Sequence, residues 1–369
     1  MLCWDDFLKI TWINQRDPEN PQAGGAEVRI HEICKRLVEF NCKVRLISER
    51  WNGAEETSVL DGIELVRVGG RFGARILTPL LLKTYTDYDV VIDDIAHGIP
   101  WFSPIFTRKP VLGQIHHVHH DVFNIELPPY LARFASLGET SIRLFYRKLI
   151  AVSESSKLDI IGRFGIPSKN IEVIPNGITI KPHKSTNKSP IPTILYFGRL
   201  KRYKRIDHIL SAFRIVGKEF PNAQLLVAGD GDALPLLKEM SNRMGLSKVQ
   251  FLGKVNEDMK ARLMGSSWVV VSTSQTEGWG MTITESAACG STAVAYDVPG
   301  LRESVKDGVT GLLAKNGNIR DLATKIIEVL KNESLREDLN KNAFEYSKRF
   351  NWDNSAQRFL KVLKEYCRE

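Results

Sequence analysis

The chain has 369 residues, more than one hydrophobic core usually organises, which predicts two domains. Its composition, 43% hydrophobic and 25% charged, is that of a globular protein, and no apolar run approaches the length that spans a bilayer. A net charge of +8 is compatible with nucleic acid, an anionic membrane or a phosphorylated small molecule as partner, whereas five scattered cysteines argue against a disulfide framework or a zinc site.

Short β-branched or apolar runs alternate along the chain with longer segments of helical period, which predicts parallel sheets covered by helices. The predicted strands are residues 9–13, 43–48, 64–68, 89–93, 110–115, 148–152, 171–174, 193–198, 223–228, 249–252, 267–272 and 292–296. Two of the predicted helices have clear apolar faces, formed by Ala26, Ile30, Ile33, Cys34 and Leu37 and by Ile206, Ile209, Leu210, Phe213 and Val216.

A polar stretch rich in Lys, Ser and Pro, residues 176–192, interrupts this alternation and indicates a connection between two doubly wound domains. The predicted divisions are an N-terminal Rossmann-like domain at 1–178, a linker at 179–192, a C-terminal Rossmann-like domain at 193–349 and a final helix at 350–369, with Asn351 as its N-cap. Ligands of open parallel sheets bind beyond the carboxyl ends of the strands, so residues that follow strands are the candidates for function.

The stretch TEGWGMTITE places Glu277 and Glu285 eight positions apart, behind the predicted strand that ends at Ser272. A helix that begins near Met281 leaves Glu277 in the loop and Glu285 in the helix. The glycines between them allow a ligand to approach the backbone, and the helix N-terminus favours an anion. The alternative is a solvated loop acid and a second acid that complements the helix dipole.

A basic cluster, RLKRYKR at 199–205, follows the strand that ends at Gly198. Arg199 offers a fork for phosphate oxygens and Lys204 a point charge, so a phosphate site is favoured at this strand end. A solvated basic face and a nucleic-acid patch are the alternatives.

In the N-terminal half, Gly24 and Gly25 stand between the first strand and its helix, either as an anion-binding turn or as a loop that needs positive φ. Four histidines follow the strand at 110–115; they are His116, His117, His119 and His120. Adjacent side chains on an extended segment point in opposite directions, so a ligand-facing histidine is favoured over a metal site.

Several further stretches complete the pattern. In chain order they are GGAE (24–27), AVSESS (151–156), VIPNGI (173–178), YFGRLKRYKRID (196–207), LLVAGDGD (225–232), VQFLGKV (249–255), EGWGMTITESAACG (277–290), VPGLRESVKDGVTGLL (298–313) and FNW (350–352). Together they resemble the retaining glycosyltransferases of family 4, also called group 1, across nearly the whole chain. The resemblance implies the GT-B fold, with two Rossmann-like domains facing across a cleft and a C-terminal helix that returns to the N-terminal domain.

The resemblance also assigns roles to residues. It implies catalytic or diphosphate-binding roles for Glu277, His116, Arg199 and Lys204, with His116 preferred over its neighbour as the histidine near the donor sugar. It places Glu285 at the nucleotide ribose, and the remaining donor-binding positions are Gly24, Gly25, Lys254, Val255, Gly278, Trp279, Gly280 and Met281. His117, His119 and Ser153 are expected on the acceptor side. Two positions depart from the family pattern, Thr179 where Asp is common and Trp279 where Phe is usual.

The implied reaction transfers a sugar from a nucleotide diphosphate sugar, with a UDP- or GDP-sugar favoured, to a hydroxyl acceptor with retention of configuration. No cofactor or metal is expected, because Arg199 and Lys204 can stabilise the departing diphosphate. The acceptor is expected to be a glycan, a glycolipid or a small molecule that contacts mainly the N-terminal domain. The alternatives are a phosphorylase or epimerase of the same fold, and a nucleic-acid-binding protein.

Basic and apolar residues mix in residues 130–150, where an amphipathic helix is predicted either to rest on an anionic membrane or to pack with ordinary solvated basic residues. The N-terminal MLCWDDF does not resemble a secretory signal. We therefore expect a cytoplasmic protein, peripheral on the inner membrane face if the helix binds lipid, and we expect no nucleic-acid partner.

Overall fold

A computed structural model of the chain describes residues 7–70, 73–181 and 187–368. The chain divides into two compact units. Unit 1 runs to Gly177 and resumes at Asn351, and unit 2 comprises Ile178–Phe350. Residues 182–186 of the predicted linker lie outside the described residues.

Unit 1 contains an eight-stranded sheet in the order β3-β4-β2-β1-β5-β6-β7-β8, in which only the β3–β4 pair is antiparallel. The strands are β1 (Lys9–Ile13), β2 (Lys43–Glu49), β3 (Thr57–Leu60), β4 (Ile63–Val68), β5 (Val90–Asp94), β6 (Val111–Ile115), β7 (Leu149–Ala151) and β8 (Ile171–Val173). The helices that follow the early strands are α1 (Gly25–Glu39), α2 (Gly73–Leu81), α3 (His120–Glu126), α4 (Pro129–Thr140), α5 (Ile142–Phe145) and α6 (Glu154–Phe164).

Unit 2 contains a six-stranded parallel sheet in the order β11-β10-β9-β12-β13-β14. Its strands are β9 (Thr193–Phe197), β10 (Gln224–Ala228), β11 (Val249–Gly253), β12 (Val269–Ser272), β13 (Ala293–Tyr296) and β14 (Gly311–Ala314). Its helices are α7 (Ile206–Glu219), α8 (Leu234–Arg243), α9 (Glu257–Ser266), α10 (Met281–Ala288), α11 (Leu301–Ser304), α12 (Ile319–Lys331) and α13 (Glu333–Ser347).

The alternating α/β pattern predicted from the sequence is confirmed, and each of the twelve predicted strands overlaps a strand of the structure. Central strands are buried on both faces, as parallel strands covered by helices must be; every residue of β5 and of β13 is buried. The prediction missed β3 and β14. The first is an edge strand with a half-exposed pattern, and the second has only four residues, so neither gives a strong apolar signal.

The last helix, α14 (Trp352–Tyr366), belongs to unit 1 and packs against α1, so the return of the C-terminal helix is confirmed. Asn351 caps it, because the Asn351 side chain accepts a hydrogen bond from the Asp353 amide. Phe359 is fully buried and its ring stacks on that of Trp12 in β1, with 5.0 Å between ring centroids. The two ends of the chain therefore share one core.

We predict that Phe359→Ala lowers the free energy of unfolding by about 3–5 kcal/mol, because it leaves a cavity against the buried Trp12 ring. Gln357→Ala is the matched control, since Gln357 is exposed on the same helix and its loss should cost within about 0.5 kcal/mol. Urea unfolding of the three proteins checks this. Equal midpoints would show that α14 does not contribute to the core of unit 1.

Candidate active site

Two glycine loops of unit 2 pack closely enough to set the course of the chain after β9. A Cβ atom on Gly229 would lie 1.9 Å from the Gly198 carbonyl oxygen, and one on Gly231 would lie 2.3 Å from the Leu200 carbonyl oxygen. No other residue leaves space for this approach. The GDGD segment after β10 is thus the support that places Arg199 beyond the carboxyl end of β9.

Arg199 is exposed, and its guanidinium donates to the Tyr203 hydroxyl at 3.1 Å. The Tyr196 hydroxyl in turn donates to the Arg199 carbonyl oxygen at 2.9 Å. These bonds attach the arginine to the sheet while its charge remains accessible to solvent. An accessible guanidinium is the geometry that binding of a phosphate requires.

Lys204 and Glu277 form an ion pair that joins the loop after β9 to the loop after β12. The Lys204 Nζ donates to both carboxylate oxygens of Glu277, at 2.8 and 2.7 Å. Burial lowers the pKa of Lys204, but the Glu277 charge and hydrogen bonds outweigh it, so the pKa lies above its ordinary value. The Thr273 hydroxyl donates to the Lys204 carbonyl oxygen at 2.8 Å. Two residues predicted to act at one site are therefore in direct contact.

The Gly278–Met281 segment turns sharply into α10, which begins at Met281 as predicted. Gly280, the N-cap, has a positive φ of 83°. The Trp279 side chain is buried and packs edge-on against Phe350, with 4.9 Å between ring centroids. The indole therefore anchors the loop, and the donor-binding role expected of Trp279 stays a prediction.

Gly300, which the sequence reasoning did not single out, supports the same loop. Its φ is +78°, and a Cβ atom there would lie 2.2 Å from the Glu277 carbonyl oxygen. The glycine of VPG, after β13, is the signal that could have identified it. The position of Glu277 thus depends on the loop after the neighbouring strand.

Glu285 is buried on α10 and is held by Lys260 of α9, whose Nζ donates to Glu285 Oε1 at 2.8 Å. Burial raises the pKa of Glu285, and the Lys260 charge opposes this rise. Lys254 is exposed and Val255 half-buried in the turn between β11 and α9.

The sequence analysis did not identify Lys260, because a lysine in the middle of a helix has the same sequence signal as any solvated basic residue.

In unit 1, Gly24 and Gly25 lie at the start of α1, as expected, but a side chain already occupies the turn. Glu27 Oε2 accepts a hydrogen bond from the Gly24 amide at 2.7 Å in a capping box. Because a carboxylate is bound there, the amide of Gly24 is not available to a donor phosphate in this conformation. The donor-binding role expected of Gly24 and Gly25 stays a prediction, and it would require this capping bond to be exchanged or the donor to contact other atoms of the turn.

His116 follows β6 directly, and its Nε2 lies 2.9 Å from Asp94 Oδ1 at the end of β5. Gln114 donates from Nε2 to the other oxygen of Asp94 at 2.5 Å and accepts from Arg29 Nε at 3.1 Å. Arg29 is fully buried and also donates to Asn176 Oδ1 at 2.7 Å. Burial lowers the pKa of Arg29 to about 9, although the Asp94 charge opposes this. His116 thus lies at the end of a buried series of hydrogen-bonded polar side chains.

Two of the predicted acceptor-side residues have structural roles. Ser153 is fully buried as the N-cap of α6, where its Oγ accepts from the Ser156 amide at 3.0 Å. His119 is buried, its amide donates to Glu139 at 2.6 Å, and its ring stacks on that of His117 at 4.0 Å. Burial raises the pKa of Glu139 to about 7. Both residues are therefore engaged in packing and capping, whereas His117 is partly exposed. The acceptor-side position expected for the three residues stays a prediction.

The four histidines thus have different environments, and no group of three or more metal-ligating side chains is present among residues 7–70, 73–181 and 187–368. The His116 ring contacts Asp94, the rings of His117 and His119 stack on each other, and His120 is exposed at the start of α3.

Comparison with known families decides the class of the protein. The family model described as glycosyl transferases group 1 matches residues 178–346, and the one described as glycosyltransferase family 4 matches residues 23–181. The chain belongs to the group 1 glycosyltransferases. The family resemblance predicted from its motifs is therefore confirmed.

This glycosyltransferase is 33% identical over 171 residues to an uncharacterized glycosyltransferase of Methanocaldococcus jannaschii, a match that covers 46% of this chain and 47% of that protein. The chain therefore spans about half of that relative. It is 24% identical to the phosphatidylinositol N-acetylglucosaminyltransferase gpi3 subunit of Schizosaccharomyces pombe, over 95% of this chain and 79% of that one. It is also 24% identical to D-inositol 3-phosphate glycosyltransferase 2 of Catenulispora acidiphila, over 92% and 89% of the two chains.

Among solved structures, the glycosyltransferase resembles a sucrose-phosphate synthase of Thermosynechococcus elongatus, with a TM-score of 0.83, 20% identity and coverage of 97% of this chain and 98% of that one. It also resembles HepE of Anabaena in complex with UDP-glucose, with a TM-score of 0.76, 21% identity and coverage of 97% and 100%. These likenesses confirm the predicted GT-B fold.

We predict that Gly300→Ala displaces the Glu277 loop, because the new Cβ atom would collide with the Glu277 carbonyl. Gly308→Ala is the matched control: its φ of +70° is similar, but no atom lies within 4 Å of its Cβ position. Both variants should lose about 1 kcal/mol from backbone strain, and only Gly300→Ala should lose more and show faster amide hydrogen exchange across residues 276–281. Equal exchange in the two variants would contradict this role of Gly300.

Proposed function

We propose that this glycosyltransferase transfers a sugar from a nucleotide diphosphate sugar to a hydroxyl acceptor with retention at the anomeric carbon. The contact between Lys204 and Glu277, with Arg199 on the same loop, is the observation that carries the proposal. It combines two cations suited to a diphosphate with a carboxylate suited to sugar hydroxyls, at the strand ends where parallel sheets bind ligands.

Cleavage of the sugar–phosphate bond leaves additional negative charge on the departing diphosphate. Arg199 and Lys204 stabilise that charge where it develops, which lowers the barrier more than it strengthens ground-state binding. Lys204 is already held by Glu277, so little reorganisation is needed when the diphosphate arrives. The amides at the start of α10 add a partial positive charge.

Glu277 is proposed to bind and orient the sugar and to offset part of the positive charge of an oxocarbenium-like transition state. Both its oxygens accept from Lys204, an arrangement that suits an acceptor of hydrogen bonds better than a nucleophile. In the proposed route the acceptor hydroxyl attacks on the face from which the diphosphate leaves. The C1–O bond to the acceptor forms as the C1–O bond to phosphate breaks, and a phosphate oxygen takes the hydroxyl proton.

The reaction is proposed to need no metal ion, because the two side-chain cations supply to the departing diphosphate the positive charge that a bound Mg²⁺ supplies at many phosphate sites. The activity is therefore expected to persist in excess EDTA and to fall when Lys204 is replaced by Met.

A UDP-sugar is the first donor to test, because HepE, which shares the fold, is in complex with UDP-glucose; a GDP-sugar remains in the screen. Two relatives are named for D-inositol 3-phosphate and phosphatidylinositol. Inositol phosphate, free or as a lipid headgroup, is therefore the first acceptor to test within the wider class of glycans, glycolipids and small hydroxyl compounds. His116 and the partly exposed His117 of unit 1 are proposed to contribute on the sugar and acceptor sides.

We predict that one of UDP, GDP, ADP and dTDP binds the purified protein saturably in calorimetric titration. Arg199→Ala should weaken that binding by roughly tenfold to a hundredfold, as expected for a lost hydrogen bond between charged groups. The control is Arg202→Ala, which removes the same charge from an exposed residue of the same loop.

Equal weakening by the two changes would indicate general electrostatic attraction rather than a defined phosphate site. Salt-sensitive binding of an oligonucleotide without any nucleotide binding would instead favour the nucleic-acid alternative. Turnover of a nucleotide sugar without an acceptor, or with inorganic phosphate, would indicate an epimerase or a phosphorylase.

A second proposal concerns α4 of unit 1, whose large apolar residues face solvent. Tyr130, Phe134 and Leu137 are 72%, 73% and 67% exposed at helical spacing, whereas the residues it buries include Ala132 and Ala135. Arg133 is exposed on the same helix. An apolar stripe with a cation beside it suits an anionic bilayer, and we propose that unit 1 binds such a surface to reach a lipid-linked acceptor. In the described part of the chain, no helix is long and apolar enough to cross a membrane.

We predict that the protein co-sediments at low salt with vesicles containing anionic phospholipid and that Phe134→Glu removes most of this binding. Leu158→Glu is the matched control, because Leu158 is 66% exposed on α6 of the same unit and lies outside the stripe. Failure of the unmodified protein to co-sediment, or equal loss in both variants, would overturn the membrane proposal and leave the transferase proposal intact.

A further inference from the structure

Tyr203 of unit 2 contacts both cations of the candidate diphosphate site. Its hydroxyl accepts a hydrogen bond from the Arg199 guanidinium at 3.1 Å. The Lys204 ammonium lies over its ring, with Nζ 5.1 Å from the ring centroid. Tyr203 itself is buried, with 7% of its surface exposed. One buried side chain therefore joins the two positive groups.

The segment that carries Tyr203 is fastened to alternate residues of the loop after β12. The Thr273 hydroxyl donates to the Lys204 carbonyl oxygen at 2.8 Å. The Gln275 amide donates to the Tyr203 carbonyl oxygen, also at 2.8 Å, and the Glu277 carboxylate accepts from the Lys204 ammonium. Backbone and side chain are thus held on the same side of the tyrosine, which restricts its movement when a ligand binds.

Directly after Lys204 the backbone adopts an unfavourable conformation. Arg205 has a φ of 51° and a ψ of 46°, in the left-handed region that residues other than glycine, asparagine and aspartate rarely enter. Its guanidinium donates to Gln275 Oε1 at 2.5 Å and to Asn316 Oδ1 at 3.0 Å, and these bonds hold the turn. Backbone outliers of this kind cluster at functional sites, so the strain supports a functional requirement on the geometry of residues 203–205.

Two physical costs oppose the use of Arg199 and Lys204 at one site. An exposed arginine loses side-chain freedom when it binds a ligand, which lowers its affinity, and Arg199 is exposed. The two cations also repel each other. Burial, the largest influence on the pKa of Lys204, lowers it, the Glu277 charge raises it, and the Arg199 charge lowers it. Both costs are met during folding when a contact already holds the cations in place.

We propose that Tyr203 is a positioning residue that holds Arg199 and Lys204 at the spacing that a diphosphate requires, before the nucleotide arrives. Its hydroxyl acts on the donor through Arg199, and its ring supports Lys204. This inference rests on the proposed function, because it needs a nucleoside diphosphate in unit 2. It adds to that function a residue that contributes to affinity through other residues.

The test begins with Tyr203→Phe, which removes the hydroxyl and keeps the ring over which Lys204 lies. The dissociation constant of UDP, measured by calorimetry, should rise roughly fivefold to tenfold, as expected for the loss of one typical hydrogen bond. If another of the four nucleoside diphosphates binds better, it replaces UDP in every measurement.

A double-mutant cycle separates positioning from a general loss of structure. In Arg199→Ala the hydroxyl has no guanidinium left to position, so adding Tyr203→Phe should change the dissociation constant by less than about twofold. In Arg202→Ala, which removes an exposed cation of the same loop, Tyr203→Phe should keep its full effect. A purely structural role would weaken binding equally in the two backgrounds.

Tyr88→Phe is the matched control for the loss of a buried hydroxyl. Tyr88 lies in unit 1, is 4% exposed and donates to the Leu82 carbonyl oxygen at 3.0 Å. Urea titrations should show that both single variants remain folded. Only Tyr203→Phe should bind UDP more weakly than the unmodified protein.

The two proposals fail differently. Absence of binding by every nucleoside diphosphate overturns the proposed function and this inference together. Equal affinity for UDP in Tyr203→Phe and the unmodified protein overturns the inference alone. An equal effect of Tyr203→Phe in the Arg199→Ala and Arg202→Ala backgrounds, or an equal loss of affinity in Tyr88→Phe, also overturns the inference.

Discussion

The ion pair between Lys204 and Glu277 is the interaction on which the candidate site of unit 2 depends. It fastens the loop after β9 to the loop after β12, strands that are neighbours in the sheet but separated by more than seventy residues of chain. Each loop is set by glycines that allow backbone contacts a side chain would block, at Gly229 on one side and Gly300 on the other. The sheet brings the loops together, and the ion pair fixes their charged groups relative to each other.

The two units hold their functional groups by different physical means. In unit 2, each important carboxylate is paired directly with a lysine, so charge is balanced locally. In unit 1, a series of hydrogen bonds holds His116 in place. It runs from His116 to Asp94, from Asp94 to Gln114 and from Gln114 to the buried Arg29. A chain of this kind fixes the orientation of a ring, because each member depends on the geometry of the next.

Much of this arrangement could be predicted from the sequence, because it follows from local signals. Apolar runs gave the central strands, and the rule that ligands bind at strand ends pointed to Arg199, Lys204 and Glu277 before any contact was known. Lys260 and Gly300 were missed because their roles depend on contacts with distant residues. The capping bond of Ser153 and the ring stacking of His119 could not be predicted, because a serine or histidine after a strand is equally compatible with a cap, a stacked ring or a ligand contact.

The C-terminal helix has a consequence for synthesis on the ribosome. Trp12 and the apolar face of α1 find their partner Phe359 only on α14, after all of unit 2 has been made. At usual translation rates this interval is on the order of tens of seconds. During that time the first unit to emerge lacks part of its core, while the second unit can complete its own. The nascent N-terminal half is therefore the part of this enzyme with the greatest need for chaperone protection, although it is the first to be made.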